Sequence, residues 1–553
     1  MRRRPVVYAL LLALGISGCS KPRPDIDAAR ITRTVQTLAG DDFEGRAPAT
    51  AGERKTVDYL IAQLKDAGLQ PGGDPRPDGS RAWTQDLPLV RSQITGPMTF
   101  DVHYGGDTAH WTQGGEVTLR AMQTGASQLK LVNAPLVFIG YGVNAPERNW
   151  DDFKGIDLKG KVALVLVNDP DFEAGAGDFG GRAMTYYGRW TYKYEELARR
   201  GAAGALVIHE TEPASYGWET VRNSNGGPLF DVQREDPLAE HVPLEGWIQR
   251  DAAALLLQKA GVNLPQLKSQ AATREFRPVP LKGVTLDVVF NVERQQVVSK
   301  NVIGVLPGTS HADEWLLYTA HWDHFGIGKP DADGDAIFNG AVDNAAGMAE
   351  VLEIARAFER APRTQRSLGF VFVGAEEQGL LGSEYYATHP LYPLARTVAD
   401  LNIDSPRPTG PARDFTTSGD APVTLQDALI EVGRQLNRYH SPDARPQAGL
   451  FYRSDHFSFA KRGVPAISFK SGDDLLEGGP AAGKAWMEAY DRDRYHQPSD
   501  EFDPAVWRSD GIAADAALLY ALGRRLADSR EWPQWKAGSE FKAIRDASSA
   551  ERR

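Results

Sequence analysis

The chain has 553 residues, of which 42% are hydrophobic and 24% are charged, so it is long enough for two or three domains with their own cores. Its formal net charge of −11 argues against nucleic acid or an anionic surface as a partner. A single cysteine excludes an intramolecular disulfide.

The N-terminus has the pattern of an export signal. Arginines at residues 2–4 precede an apolar run over residues 5–16 that is too short to span a membrane. The run leads to Cys19 in a sequence that resembles a bacterial lipoprotein cleavage site, although an ordinary signal peptide could also end near a cysteine. We expect residues 1–18 to be a lipoprotein signal peptide and Cys19 to carry the lipid, which would be the only membrane attachment. Ser20 favours the periplasmic face of the outer membrane in a host with two membranes.

The mature chain shows changes of composition that predict a divided domain. Residues 24–90 contain two helical patterns and a stretch rich in proline and glycine. Residues 91–285 consist mainly of short β-like runs with many glycines, which predicts an insertion. Residues 286–530 return to alternating strands and helices and are predicted to complete the first domain. Residues 531–553 are predicted to form a charged C-terminal tail.

The predicted insertion has a core of about residues 131–275. Within it, Lys161–Val167 and Ala203–Ile208 read as buried strands and Tyr194–Arg200 reads as a helix. These runs and their glycines resemble a protease-associated domain, while a generic α/β insertion is the alternative. The insertion is expected to cover one side of a crevice and to limit that crevice to chain ends. An aromatic and basic run around Arg189 makes this residue a candidate for substrate contact.

The C-terminal half repeatedly places acidic or histidine residues at the ends of predicted elements. The runs that carry them are Trp315–Ala320 before His321, Ala345–Phe358 after Asp343, Leu368–Val373 before Glu376 and Glu377, and Val398–Ile403 before Asp404. Carboxyl ends of strands are where an open α/β sheet forms its ligand crevice. Each residue alone also fits a helix cap or a solvated loop. Their joint occurrence, with a later His496, favours one shared metal site.

Six motifs in this half resemble the zinc-dependent exopeptidases that include bacterial leucyl-type aminopeptidases and glutamate carboxypeptidase. The motifs are His321-Trp-Asp-His, Gly340-Ala-Val-Asp-Asn-Ala-Ala-Gly347, Gly374-Ala-Glu-Glu-Gln-Gly-Leu-Leu-Gly-Ser383, Leu401-Asn-Ile-Asp404, Ser454-Asp-His-Phe457 and Tyr495-His-Gln-Pro-Ser-Asp500. The resemblance implies an α/β fold with a mixed, mostly parallel sheet flanked by helices. It also implies two zinc ions and a peptide substrate.

The resemblance assigns a role to each metal-site residue. Asp343 would bridge the two metals, while His321 and Asp404 would complete one zinc site and Glu377 and His496 the other. Cobalt and manganese also suit these ligands. Glu376 would be the general base, which passes a proton from water to the leaving amine. Asp323 would orient His321 by accepting its second imidazole N–H.

Two tyrosines compete as donors to the oxygen of the scissile carbonyl. Tyr495 precedes His496, and Tyr452 lies just before the Ser454 motif, so neither is preferred. His324, Asp455 and His456 are not expected to bind metal.

The resemblance implies an aminopeptidase that acts on short peptides. The alternatives are a carboxypeptidase of the glutamate carboxypeptidase type, a receptor-like relative without catalysis, and a relative that resembles glutaminyl cyclase. Side-chain specificity and oligomeric state are left open.

Overall fold

One mixed sheet of 16 strands organises the structure. The computed structural model describes residues 24–121, 123–331 and 333–552, so the predicted signal peptide and Cys19 lie outside the described residues. In spatial order the sheet runs through Tyr439–His440, Asp414–Thr417, Ala466–Ser471, Thr397–Ile403, His311–His321, Arg366–Val373, Val279–Leu306, Gln128–Phe138, Val162–Leu166, Gly204–His209, Leu244–Gln249 and Val117–Leu119. Beside this path lie Gln70–Pro71, Thr84–Tyr104, Asp107–His110 and Leu229–Val232.

Fourteen α-helices of the described residues accompany the sheet. They are Ala28–Leu38, Ala51–Asp66, Trp190–Arg199, Thr211–Ala214, Trp218–Asn225, Arg250–Lys259, Leu264–Ala271, Gly347–Arg360, Leu381–Thr388, Thr424–Gln435, His456–Lys461, Gly479–Asp493, Ser509–Ala527 and Lys542–Ala547. None of these helices is both long enough and apolar enough to cross a membrane.

The predicted fold class is confirmed by the strand directions. His311–His321 pairs in parallel with Arg366–Val373 on one side and with Thr397–Ile403 on the other. Ala466–Ser471 continues the parallel order, whereas Val279–Leu306 is antiparallel to its neighbour Arg366–Val373. The short apolar runs of the sequence are therefore central strands, because a strand covered by helices on both faces is apolar along its whole length.

Two long strands connect the two halves of the sheet. Val279–Leu306 pairs with Thr84–Tyr104 along most of its length, and its C-terminal end also pairs with Arg366–Val373. The changes predicted at residues 90/91 and 285/286 fall inside these two strands, so the chain enters and leaves the middle segment through paired strands.

The middle segment has hydrophobic clusters that are separate from the main core. In the strand Val162–Leu166, Val162, Leu164 and Leu166 point into one cluster, and Ala163 and Val165 point into another. Both faces of this half of the sheet are thus buried, each under its own layer. The main cluster packs around the strands that lead to the acidic and histidine residues.

The C-terminal segment differs from its prediction as a charged tail. Trp535 and Phe541 belong to the main hydrophobic cluster, and Lys542–Ala547 forms a helix. Arg545 is 2% exposed and donates to the backbone oxygens of Leu394 and Thr397. The segment was predicted to be a tail because most of its residues are charged or polar. Its few apolar side chains nevertheless pack into the main cluster.

Candidate metal centre

The structure brings the acidic and histidine residues together at one edge of the parallel strands. His321 is the last residue of its strand and lies in register with Val373 of the adjacent strand. Glu376 and Glu377 follow that adjacent strand within four residues, and Asp404 directly follows Thr397–Ile403. Parallel strands end at the same edge, so side chains distant in sequence meet there.

Asp343 lies at the centre of this group. Its Oδ1 is 3.1 Å from Nε2 of His321, and its Oδ2 is 3.3 Å from Nε2 of His496. The residue sits in an irregular turn before the helix Gly347–Arg360 and is 3% exposed. The two oxygens of one buried carboxylate therefore face two different histidines.

A second carboxylate accompanies each histidine. Oδ1 of Asp404 is 3.6 Å from Nε2 of His321, and Oε2 of Glu377 is 3.3 Å from Nε2 of His496. Two ligand atoms that each lie ~2.1 Å from a tetrahedral zinc are about 3.4 Å apart. The spacing of these donor atoms therefore fits two adjacent zinc ions that share Asp343.

Glu376 also lies within this group. One atom each of His321, Glu376 and Asp404 lie within 4.8 Å of one another, and the same holds for His321, Asp343 and Glu377. Burial and the neighbouring Glu377 raise the pKa of the Glu376 carboxyl well above its usual value, although His321 opposes the shift.

The centre has a large excess of negative charge. Burial and Asp343 raise the pKa of Glu377, although His496 opposes the shift. Among the ion pairs of the described residues, the only Lys or Arg partner of the predicted ligands is Lys470, 3.7 Å from Asp404. Bound divalent cations would relieve the repulsion between these carboxylates.

Asp323 is placed differently from its prediction. His321 Nδ1 is 3.1 Å from the backbone oxygen of Asp323 but 3.9 Å from its carboxylate. The carboxylate instead accepts from the backbone N–H groups of Glu376 and Glu377, at 2.9 and 3.3 Å. The chain turns directly after His321, so a backbone carbonyl reaches the imidazole first. The Asp323 side chain instead fixes the backbone at Glu376 and Glu377 by hydrogen bonds.

Three further residues of the centre were missed from the sequence. Ser454 donates to Oδ2 of Asp404 at 2.8 Å. Asp500 accepts from the backbone N–H of Asp343 at 3.1 Å. Arg46 donates to the backbone oxygens of Trp322 and Gly340. Ser454 and Asp500 belong to the motifs Ser454–Phe457 and Tyr495–Asp500. Their place in these motifs was the only sequence signal that pointed to them.

The histidine and aspartate residues not expected to bind metal lie close to the centre. Nδ1 of His324 is 2.6 Å from Oε1 of Glu377, whose other oxygen faces His496. Asp455 and His456 are fully buried, and the two ring nitrogens of His456 have no hydrogen-bond partner among the described residues.

The two candidate tyrosines have different surroundings. Tyr495 is 45% exposed, and its ring stacks on His496 with a centroid distance of 3.7 Å. The hydroxyl of Tyr452 donates to Glu540 at 3.1 Å. The hydroxyl hydrogen of Tyr452 is therefore used in a hydrogen bond to the C-terminal segment.

A cavity of about 550 Å³ opens beside the metal-site residues. Glu376, Glu377 and His496 line one side, and the middle segment contributes Arg189. Arg453 faces the same cavity and donates to Ser215 at 2.6 Å. Burial and the nearby Arg453 lower the pKa of Arg189 to about 10. Among the described residues, no carboxylate lies within 4.0 Å of either guanidinium, so neither arginine has an ion-pair partner in the cavity wall.

Comparisons with known proteins find one matching family profile and several relatives that are named aminopeptidases. The profile of peptidase family M28 matches residues 301–521. The chain is 26% identical to Aminopeptidase NAALADL1 of Mus musculus over 435 residues, which cover 68% of this chain and 53% of that protein. It is 28% identical to the Probable lipoprotein aminopeptidase LpqL of Mycobacterium tuberculosis over 503 residues, or 88% of this chain and 82% of the relative.

A solved structure is similar over most of the chain. The aminopeptidase from Aneurinibacillus sp. strain AM-1 has 20% identity and a TM-score of 0.49, with 92% of this chain and 95% of that chain covered. The chain spans about half the length of the mouse relative and of its counterpart from Rattus norvegicus.

Proposed function

We propose that the protein is a zinc-dependent exopeptidase of peptidase family M28, most specifically an aminopeptidase of short peptides; the match of that family's profile to residues 301–521 supports this. The observation that carries the proposal is the Asp343 carboxylate, whose two oxygens face two histidines. A carboxylate so placed can hold two cations side by side. The names of the aminopeptidase relatives support the same activity.

The proposed centre holds two zinc ions. His321, Asp404 and Asp343 would bind one ion, and Glu377, His496 and Asp343 the other. When bound, zinc supplies Lewis acidity toward a carbonyl oxygen and lowers the pKa of water. The same donors also suit cobalt and manganese, so metal content must be measured.

Glu376 is the proposed general base. Its backbone N–H is fixed by Asp323, and its side chain lines the cavity beside the proposed metal ligands. Burial raises its pKa, which makes its carboxylate a stronger proton acceptor. In the reaction it would take a proton from the attacking water and deliver it to the nitrogen of the leaving amine.

Tyr495 is the proposed hydrogen-bond donor to the scissile carbonyl oxygen. It lines the cavity next to His496, and its hydroxyl makes no hydrogen bond to another residue that the structure describes. Tyr452 lines the cavity too, but its hydroxyl donates a hydrogen bond to Glu540. Donation from Tyr452 would first require that bond to break.

The middle segment is proposed to act as a protease-associated insertion. Its residues Arg189 and Trp190 line the cavity that Glu376 enters. An insertion that closes one side of the cleft would favour chain ends over internal peptide bonds. Export with a lipid on Cys19 is the proposed location, supported by the name of the lipoprotein relative.

A carboxypeptidase is the second candidate function, and the two cavity arginines favour it. Guanidinium groups bind carboxylates with paired, charge-assisted hydrogen bonds. A substrate with a free C-terminal carboxylate or an acidic side chain would compensate Arg189 and Arg453.

The activity is tested with aminoacyl p-nitroanilides and with dipeptides that end in glutamate, each with and without a chelator. We expect hydrolysis of the p-nitroanilides, a loss of about 10²-fold or more after chelation, and recovery with zinc. Cleavage of N-acetylated glutamate dipeptides would favour the carboxypeptidase. Release of ammonia from a peptide with N-terminal glutamine would reveal cyclisation. Turnover that survives metal removal contradicts the metal mechanism.

Arg189→Ala tests substrate contact in the cavity. We expect KM for dipeptides with a free carboxylate to rise about 10-fold or more, because one charge-assisted hydrogen bond contributes about 1.5–3 kcal/mol. KM for an aminoacyl p-nitroanilide, which has no carboxylate, should change little. Arg250→Ala is the matched control, since Arg250 is exposed and pairs with Glu210. Unchanged affinity for every peptide would refute the contact.

A further inference from the structure

Arg46 is a fully buried arginine behind the candidate metal centre. It is 0% exposed, and among the described residues no carboxylate lies within 4.0 Å of its guanidinium. Its N–H groups instead donate to four backbone oxygens: Trp322 at 3.0 Å, Leu38 at 2.7 Å, Asn339 at 2.6 Å and Gly340 at 2.9 Å. One side chain therefore satisfies carbonyl groups from three separate segments.

Two of these segments carry proposed metal ligands. Trp322 directly follows His321, and Gly340 lies three residues before Asp343. Arg46 belongs to the segment that precedes the middle segment, and it is 276 residues from Trp322 and 294 residues from Gly340 in sequence. The guanidinium thus connects the backbone beside His321 with the backbone that leads to Asp343.

The packing around the guanidinium leaves little freedom. A Cβ atom on Gly340 would lie 2.8 Å from Nη2 of Arg46 and 2.2 Å from the backbone oxygen of Asp343. Gly340 and Gly45 both have positive φ, at 54° and 63°. A Cβ on Gly45 would lie 2.6 Å from the backbone oxygens of Gly326 and Phe338. A side chain at Gly340 or Gly45 would therefore clash with the loops that surround Arg46.

The charge of Arg46 also suits this position. Burial lowers its pKa to about 10, with the carboxylates of Asp500, Asp323 and Asp343 opposing the shift, so it remains a cation at neutral pH. Asp500 in turn accepts from the backbone N–H of Asp343 at 3.1 Å. A fixed positive charge thus stands behind the carboxylates before any metal binds.

We propose that Arg46 is a positioning residue that holds the loops of His321 and Asp343 at the separation required for metal binding. The inference rests on the proposed function, because it takes His321 and Asp343 as ligands. Arg46 itself touches neither metal nor substrate. Its effect is on metal affinity and coordination geometry, through the backbone of the two loops.

The test is zinc affinity of the full protein, measured by competition with a chelator, for wild type, Arg46→Lys and Arg46→Gln. Lysine keeps the charge but cannot bridge four carbonyls in one plane. We expect about 10- to 100-fold weaker zinc binding in both variants, the range typical for groups that orient ligands. The visible absorption bands of the cobalt-loaded variants should also shift, since the ligand geometry changes.

Arg545→Lys is the matched control. Arg545 is also buried and donates to backbone oxygens. Its partner Thr397, however, lies at the start of the strand Thr397–Ile403, at the end remote from Asp404. This variant should lose thermal stability while keeping wild-type zinc affinity and the cobalt spectrum. The zinc-induced rise in Tm, compared within each protein, separates affinity from stability if an Arg46 variant folds poorly.

Wild-type zinc affinity in Arg46→Lys and Arg46→Gln would overturn the inference. An equal loss in Arg545→Lys would also overturn it, because the effect would then reflect general destabilisation. If the wild-type protein binds no zinc, the proposed function itself fails. The two failures are therefore distinguishable.

Discussion

Glu376→Gln is expected to lower kcat by about 10²- to 10⁴-fold while the protein keeps its zinc. The substitution preserves the shape of the side chain and the backbone N–H that Asp323 accepts. It removes the cavity-lining carboxylate that is proposed to carry the proton to the leaving amine and that is not assigned as a ligand. The measurements are kcat on an aminoacyl p-nitroanilide and zinc content per protein.

Glu384→Gln provides the matched control for this loss. Glu384 lines the same cavity, but its carboxylate pairs with Arg462 at 2.9 Å. Its kcat and zinc content should stay near those of the wild type. A fully active Glu376→Gln variant would show that another group is the base. A variant that loses its zinc would instead show that Glu376 is a ligand.

Asp343→Ala is expected to abolish binding of both zinc ions and to reduce activity to background. Each oxygen of this carboxylate faces a different histidine, so its removal takes one ligand from each metal. Because metal binding stabilises the folded state, the zinc-induced rise in Tm should disappear as well. Zinc content by elemental analysis and thermal unfolding with and without zinc are the measurements.

Asp404→Ala gives the comparison that identifies the bridge. Of the two candidate histidine ligands, Asp404 pairs with His321 alone among the described contacts, so this variant should weaken one zinc site and leave the other. Binding of about one zinc by Asp404→Ala and none by Asp343→Ala would support the shared carboxylate. Retention of one tightly bound zinc by Asp343→Ala would contradict it.

The sequence alone determined the fold class and the positions of the acidic and histidine residues. Strands such as His311–His321 and Arg366–Val373 are apolar along most of their buried length, so they could be predicted from composition. Polar residues directly after such strands must meet at one sheet edge, because parallel neighbours end together. This inference needs only the positions of the strands and of the polar residues that follow them in the sequence.

Contacts between distant segments were decided only by the tertiary structure. The bonds of Arg46 to Trp322 and Gly340, and that of Tyr452 to Glu540, join residues 88 to 294 positions apart. The Asp323 carboxylate reaches the Glu376 backbone rather than the His321 imidazole because of how the chain turns after the strand. Local sequence patterns record which residues are apolar or polar, but a hydrogen-bond partner depends on which loops pack together in three dimensions.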